Sequence, residues 1–131
     1  MQKIFVIRQK PTAQPRHRTL KNGFSYDPAK EKKNLVKMQL LEQIDTKIST
    51  PISMEIVFYM PIPKSTSKKK QEMMRKNEIK HIKRPDYDNM TKFYLDAMND
   101  VVFDDDCLVW EAYAKKVYSD DPRVEITANY D

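Results

Sequence analysis

The spacing of hydrophobic positions changes several times along the chain, and each change predicts an element. Ile4, Phe5, Val6 and Ile7 form a β-branched and aromatic run that reads as a first strand. Asp27-Pro28 has the form of an N-cap followed by proline at the first helical position. A helix is expected from there to about Ile44, with Leu35, Val36, Met38, Leu40, Leu41 and Ile44 as a broad apolar stripe. Between Ile52 and Met60 the period drops to two. Ile52, Met54, Ile56, Phe58 and Met60 share one face and Ser53, Glu55, Val57 and Tyr59 the other, which predicts a half-buried strand ended by Pro61 and Pro63. After Pro85 the helical period returns through Met90, Phe93, Tyr94, Ala97, Met98 and Val101, the most regular such pattern in the chain. Leu108 to Tyr118 is rich in β-formers, Asp120-Asp121-Pro122 supplies a turn, and Val124, Ile126, Ala128 and Tyr130 alternate in a last strand.

Two stretches are less regular. The residues from Pro11 to Gly23 read as a basic loop, with Pro15, Arg16, His17, Arg18 and Lys21 ahead of the chain's single glycine. Thr66 to Ile79 has few apolar positions and reads either as a basic helix or as a loop that orders on its substrate. The order strand, helix, strand, optional helix, helix, strand, strand implies an α/β (α+β) fold with a mixed sheet packed by helices. No repeat or dividing linker is visible, and 131 residues suit one domain, 1–131.

Composition narrows the function. Hydrophobic residues at 40% exclude a wholly disordered chain. The net charge of +5 is unevenly spread. Residues 64–84 carry nine Lys or Arg against Glu72 and Glu78, whereas residues 86–106 carry seven Asp against Lys92 alone. The acidic segment thus holds −6, which leaves +11 on the rest of a chain totalling +5. A basic surface beside one concentrated acidic spot suits a protein that holds phosphates and also a cation. No apolar run approaches the roughly 20 residues of a membrane span, so no membrane partner is expected. Cys107 is the only cysteine, which excludes an intramolecular disulfide and fits a reducing, cytoplasmic setting. One cysteine and two histidines cannot complete an ordinary structural zinc site, and one glycine cannot form a glycine-rich phosphate loop. His17 and His81 lie among basic residues, which favours phosphate contact or exposure over metal binding. Phe103 and Trp110 are expected in the core.

The chemistry concentrates after Lys83-Arg84-Pro85. Asp86-Tyr87-Asp88-Asn89 opens the amphipathic helix, and at a loop-to-helix transition two carboxylates two residues apart can converge on one cation. A single Asp there would read as a helix cap; two with an Asn exceed what one cap requires. Carboxylate oxygens are hard ligands suited to magnesium. Lys92 follows Asp88 by four residues on the same helix face, either as a surface ion pair or as an ammonium that offsets charge on a phosphate. Asp96 continues the row and reads as solvated or salt-bridged. Asp104-Asp105-Asp106 is a run of mutually repelling acids between a helix and an apolar strand, where binding a cation relieves the repulsion. It lacks the spacing, turn glycine and closing glutamate of an EF-hand.

Arg84-Pro85-Asp86-Tyr87-Asp88-Asn89, then Lys92, Leu95-Asp96-Ala97-Met98 and Val101-Val102-Phe103-Asp104-Asp105-Asp106, together resemble the RusA family of Holliday junction resolvases, found in bacteria and prophages. Pro15-Arg16 and Ser25-Tyr26-Asp27-Pro28 fit as well, so the resemblance covers most of the chain. It implies that Asp86, Asp88 and Asp106 are catalytic metal ligands and that Lys92 is the catalytic lysine. Leu108 stands where the family usually has Gln, and the triple Asp permits a one-residue slip, so Asp105 is the alternative third ligand. The resemblance further implies Mg2+ (with Mn2+ as a substitute), no small-molecule cofactor, a homodimer, and branched DNA as substrate. Lys83 and Arg84 are candidates for the DNA backbone on either side of the cut. Arg16, Lys68, Lys69 and Lys70 are candidates by charge, because the segment between Pro63 and Lys83 varies in the family and transfers no roles. The competing classes are a non-catalytic nucleic-acid-binding protein and a less selective metal-dependent phosphoesterase.

Overall fold

The computed structural model describes residues 1–14, 18–19, 23, 25–26 and 29–131, and for 18–19 and 25–26 it describes the backbone alone. Among the described residues the elements run β1 (Gln2–Ile7), β2 (Arg18–Thr19), β3 (Ser25–Tyr26), α1 (Lys30–Gln43), β4 (Ile52–Pro61), α2 (Lys68–Arg75), α3 (Tyr87–Met98), β5 (Val109–Ser119) and β6 (Arg123–Asn129), with a short 3₁₀ turn at Asp106–Leu108. The main sheet has the order β1-β6-β4-β5. Its β1–β6 and β6–β4 pairs are antiparallel and its β4–β5 pair is parallel, so the expected mixed sheet of an α+β domain is present. β2 and β3 form a separate antiparallel pair, with Gly23 between them at φ 87°.

A parallel pair needs a long crossover. Here it occupies residues 62–108 and contains α2, α3 and both charge concentrations seen in the sequence. Met90, Phe93, Tyr94, Ala97 and Met98 are buried on the inner face of α3, against Ile52, Met54, Ile56, Phe58 and Met60 of β4 and Val124, Ile126 and Ala128 of β6. The opposite sheet face is polar. Ser53 donates to Glu111 at 2.8 Å, Arg123 pairs with Glu125 at 2.6 Å, and the Arg123 guanidinium lies 3.7 Å over the Tyr59 ring.

Two expectations about packing are corrected. Only Val36 and Leu40 of α1 are fully buried, with Ile44 packed partly against the core, while Leu35, Met38 and Leu41 are exposed. The cause is a use of α1 that periodicity cannot show. β1 is an edge strand, and α1 turns two glutamines toward it. Gln43 accepts from Val6 N and donates to Val6 O, both at 2.8 Å, and Gln39 accepts from Arg8 N at 2.8 Å. These amides satisfy the edge as a neighbouring strand would. Trp110 is not in the core but 68% exposed, because the β4–β5 register slips between Ile52–Val109 and Ser53–Glu111 and leaves Trp110 as the extra residue, without a partner on β4. Phe103 is buried as expected.

The basic stretch after Pro63 is the helix α2 rather than a loop. Ser67 caps it by accepting from Lys70 N at 3.3 Å, and Met74 anchors it. Arg75 joins it to the β5–β6 turn through Asp120 at 2.7 Å. The capping pair Asp27-Pro28 lies outside the described residues, as do Pro15, Arg16 and His17.

Candidate active site

The turn before α3 and the first turn of α3 carry the first group of candidates. Asp86 occupies the N-cap position with extended backbone, yet its side chain makes no cap hydrogen bond. Asp88 accepts from the following Asn89 N at 2.9 Å. Capping therefore does not account for the Asp86 carboxylate. Both Asp86 and Asp88 are exposed, and neither forms an ion pair among the described residues. A cavity of about 520 Å³ lies against Asp86, lined also by Ala13, Arg84, Pro85 and Asn89. Its wall is held from the N-terminal side, where Gln14 N donates to Asn89 O and Thr12 N to the buried Tyr94 hydroxyl, both at 3.1 Å. This role of residues 12–14 has no local signature in the sequence, since it depends on where α3 comes to rest.

Lys92 is exposed one turn beyond Asp88 and makes no ion pair among the described residues, so the simple surface pair with Asp88 is not formed. Asp96, one turn further on, lies 3.7 Å from Lys33 of α1 and is salt-bridged as expected.

Asp106 lies in the triple acid between α3 and β5. It is the half-buried member, while Asp104 and Asp105 are exposed and Asp104 pairs with Lys47 at 3.1 Å. Partial burial, then hydrogen bonding and repulsion from Asp105, then repulsion from Asp96, hold the Asp106 carboxyl above the ordinary carboxylate range. Among the described residues no three His, Cys, Asp or Glu side chains are gathered closely enough to hold a metal ion.

The donors nevertheless suit a hard cation in kind. Magnesium takes one or two protein carboxylates and fills its remaining positions with water and substrate phosphate. Asp86 and Asp88, exposed and without ion pairs among the described residues, meet that requirement in donor type, with Asp86 lining the cavity.

The repulsion at Asp106 has a measurable consequence. A carboxyl whose folded pKa is raised stabilises the fold below the ordinary Asp range of about 3.9, and that contribution is lost as pH rises through the raised value. Asp106→Asn is therefore expected to raise Tm at pH 7 by about 1–3 °C. The gain should vanish near pH 3, where Asp106 is protonated in both states. Thermal melts of both proteins at the two pH values check this, and a variant less stable than the parent at pH 7 contradicts it.

Of the DNA-contact candidates, Lys83 and Arg84 are exposed directly before Asp86. Lys68, Lys69 and Lys70 are exposed in the first turn of α2, and Arg16 lies outside the described residues. His81 is not simply exposed. Its ring lies 4.9 Å from that of Tyr118, and burial, then the charges of Lys116 and Lys83, hold its pKa below the usual histidine value.

A small basic α+β domain with free carboxylates at a helix start, next to a cationic turn, has the form of a nuclease. Comparison with known proteins agrees. The sequence pattern of the family described as Endodeoxyribonuclease RusA matches residues 8–129, nearly the whole chain. The chain belongs to that family. It is also 38% identical over 130 residues to the Bacillus subtilis (strain 168) protein called "Uncharacterized protein YqaN", an alignment covering 93% of this chain and 92% of that protein. The resemblance drawn from the Asp86–Asp106 motif is borne out. No helix among the described residues is long and apolar enough to cross a membrane.

Proposed function

We propose that this chain is a Mg2+-dependent, structure-selective endodeoxyribonuclease that resolves four-way DNA junctions by paired phosphodiester hydrolysis in recombination and repair. The family match over residues 8–129 carries this reading. Asp86 and Asp88 hold the cation, with Asp106 as the third carboxylate and Asp105 as its alternative. Magnesium held by these carboxylates, or manganese in its place, would supply Lewis-acid activation of a water nucleophile and charge stabilisation at the leaving 3′ oxygen. Lys92 places an ammonium against the scissile phosphate and offsets the charge that grows there. Lys83 and Arg84 grip the backbone on either side of the cut and fix the position of the phosphorus. A four-way junction offers two symmetrically placed strands, so a two-fold homodimer with two equivalent sites matches its substrate.

A second reading has one observation in its favour. Among the described residues no three acids are gathered closely enough to hold a metal ion, as suits a protein that binds junctions without cutting them. One gel assay separates the two. A labelled four-way junction, a linear duplex and a flap are incubated with and without Mg2+. Symmetric nicks confined to the junction and dependent on the metal are expected. Binding without any nicks would favour the second reading, and equal cutting of all three would make the chain a general nuclease.

A further inference from the structure

We infer that Lys116, on β5, is a positioning residue of the active site, and that its ammonium clamps the turn carrying Arg84 and Asp86. The Lys116 Nζ donates to the main-chain carbonyl of Lys83 at 2.8 Å and to that of Pro85 at 3.1 Å. These two carbonyls flank Arg84, and Arg84, Pro85 and Asp86 line the cavity of the candidate site. An ammonium has three donors and no acceptor, so two well-placed carbonyls satisfy most of it.

The turn depends on this clamp. Residues 80–85 form neither helix nor strand, and among the described residues no backbone-to-backbone hydrogen bond involves them. Alternation along β5 puts Lys116 and Tyr118 on one face of the strand. Tyr118 is buried and its ring meets that of His81. Two adjacent side chains of one face thus hold the segment at both ends, Tyr118 at His81 and Lys116 at Lys83 and Pro85. α3 is fixed by its core face, but among the described residues the Lys83–Pro85 turn ahead of it has no hydrogen bonds besides those from Lys116. Without the ammonium, both Arg84 and the approach to Asp86 lose their fixed placement. A lysine spaced with Ala114 and Tyr118 on a packed strand face is the one trace of this in the sequence.

The role in cleavage rests on the nuclease reading, so the test has one arm that does not. Lys116→Met keeps the aliphatic stem and removes the donors. Its kcat on a saturating four-way junction is expected to fall about tenfold to a hundredfold, the usual effect of losing a group that orients a site from behind, with KM changed little. Lys116→Arg, which keeps the charge and several donors, should recover most of the loss. Lys115→Met, which removes an exposed charge one residue away on the other face, should leave kcat unchanged. In the metal-free protein without DNA, exchange of the Asn89 and Met90 amides, which donate to Asp88 and Asp86 just after the clamped turn, should accelerate in Lys116→Met while β4 stays protected. An unchanged kcat overturns the inference. So does a loss confined to KM and shared by Lys115→Met, which would mark a general phosphate contact, and so does faster exchange throughout the chain. If the parent protein cuts no junction, the nuclease reading and the catalytic role fail together, and the exchange measurement still decides whether the clamp exists.

Discussion

Replacing Asp88 with Asn is expected to lower Mg2+-dependent cleavage of a four-way junction by about 10²-fold to 10³-fold or more, with junction binding retained. A loss of that size corresponds to about 3–4 kcal/mol of transition-state stabilisation. The substitution is nearly isosteric and sits on an exposed position in the first turn of α3. An Asn oxygen can still accept from Asn89 N, as Asp88 does now. The fold loses only the attraction between a carboxylate and the helix N-terminus, about 0.3–1 kcal/mol. Affinity for DNA should hold or rise slightly, because one negative charge leaves the phosphate path. Measured together, gel-shift affinity and single-turnover cleavage make the result decisive. Cleavage that survives the substitution would remove Asp88 from the metal site. A parallel loss of binding would instead show that Asp88 orders the DNA-binding surface. A pure binding protein shows no cleavage before or after.

How much of this was legible in the sequence depends on the range of the interactions. β4 and α3 read clearly because their buried residues obey one period from end to end: Ile52, Met54, Ile56, Phe58 and Met60 in one, Met90, Phe93, Tyr94, Ala97 and Met98 in the other. α1 read only in part. Gln39 and Gln43, which close the β1 edge, look like solvent-facing residues until the sheet order is known. Trp110 misled for a related reason, since the register slip that leaves it unpaired depends on how β5 lies along β4. At the site, Asp86, Asp88, Asn89 and Lys92 are neighbours along one helix start and could be read as a group. The repulsion of Asp106 by Asp96, and the hold of Lys116 on carbonyls 33 and 31 residues away, are products of the crossover between β4 and β5. Local chemistry was therefore visible, and its supports were not.

Raising salt from 50 to 200 mM is expected to weaken junction binding by about 10³-fold if Lys83, Arg84, Arg16 and the lysines of α2 all contact phosphates, since each contact releases a condensed counterion. The arrangement of α2 supports so steep a dependence. Its first turn contains Lys68, Lys69 and Lys70 and no acidic residue. Cations at a helix N-terminus oppose the macrodipole, so this placement costs the free protein stability. A polyanion laid across the turn removes that cost and meets both the lysines and the exposed amides of the helix end. A phosphoesterase acting on a small substrate would gain little from such a surface, and its activity should change only modestly over the same salt range. Plotting log affinity against log salt for the parent and for Lys69→Gln distinguishes the two cases. The slope should become shallower by about one for each phosphate contact removed. A flat plot for the parent would contradict the choice of DNA as the substrate, whatever the chemistry at Asp86 and Asp88.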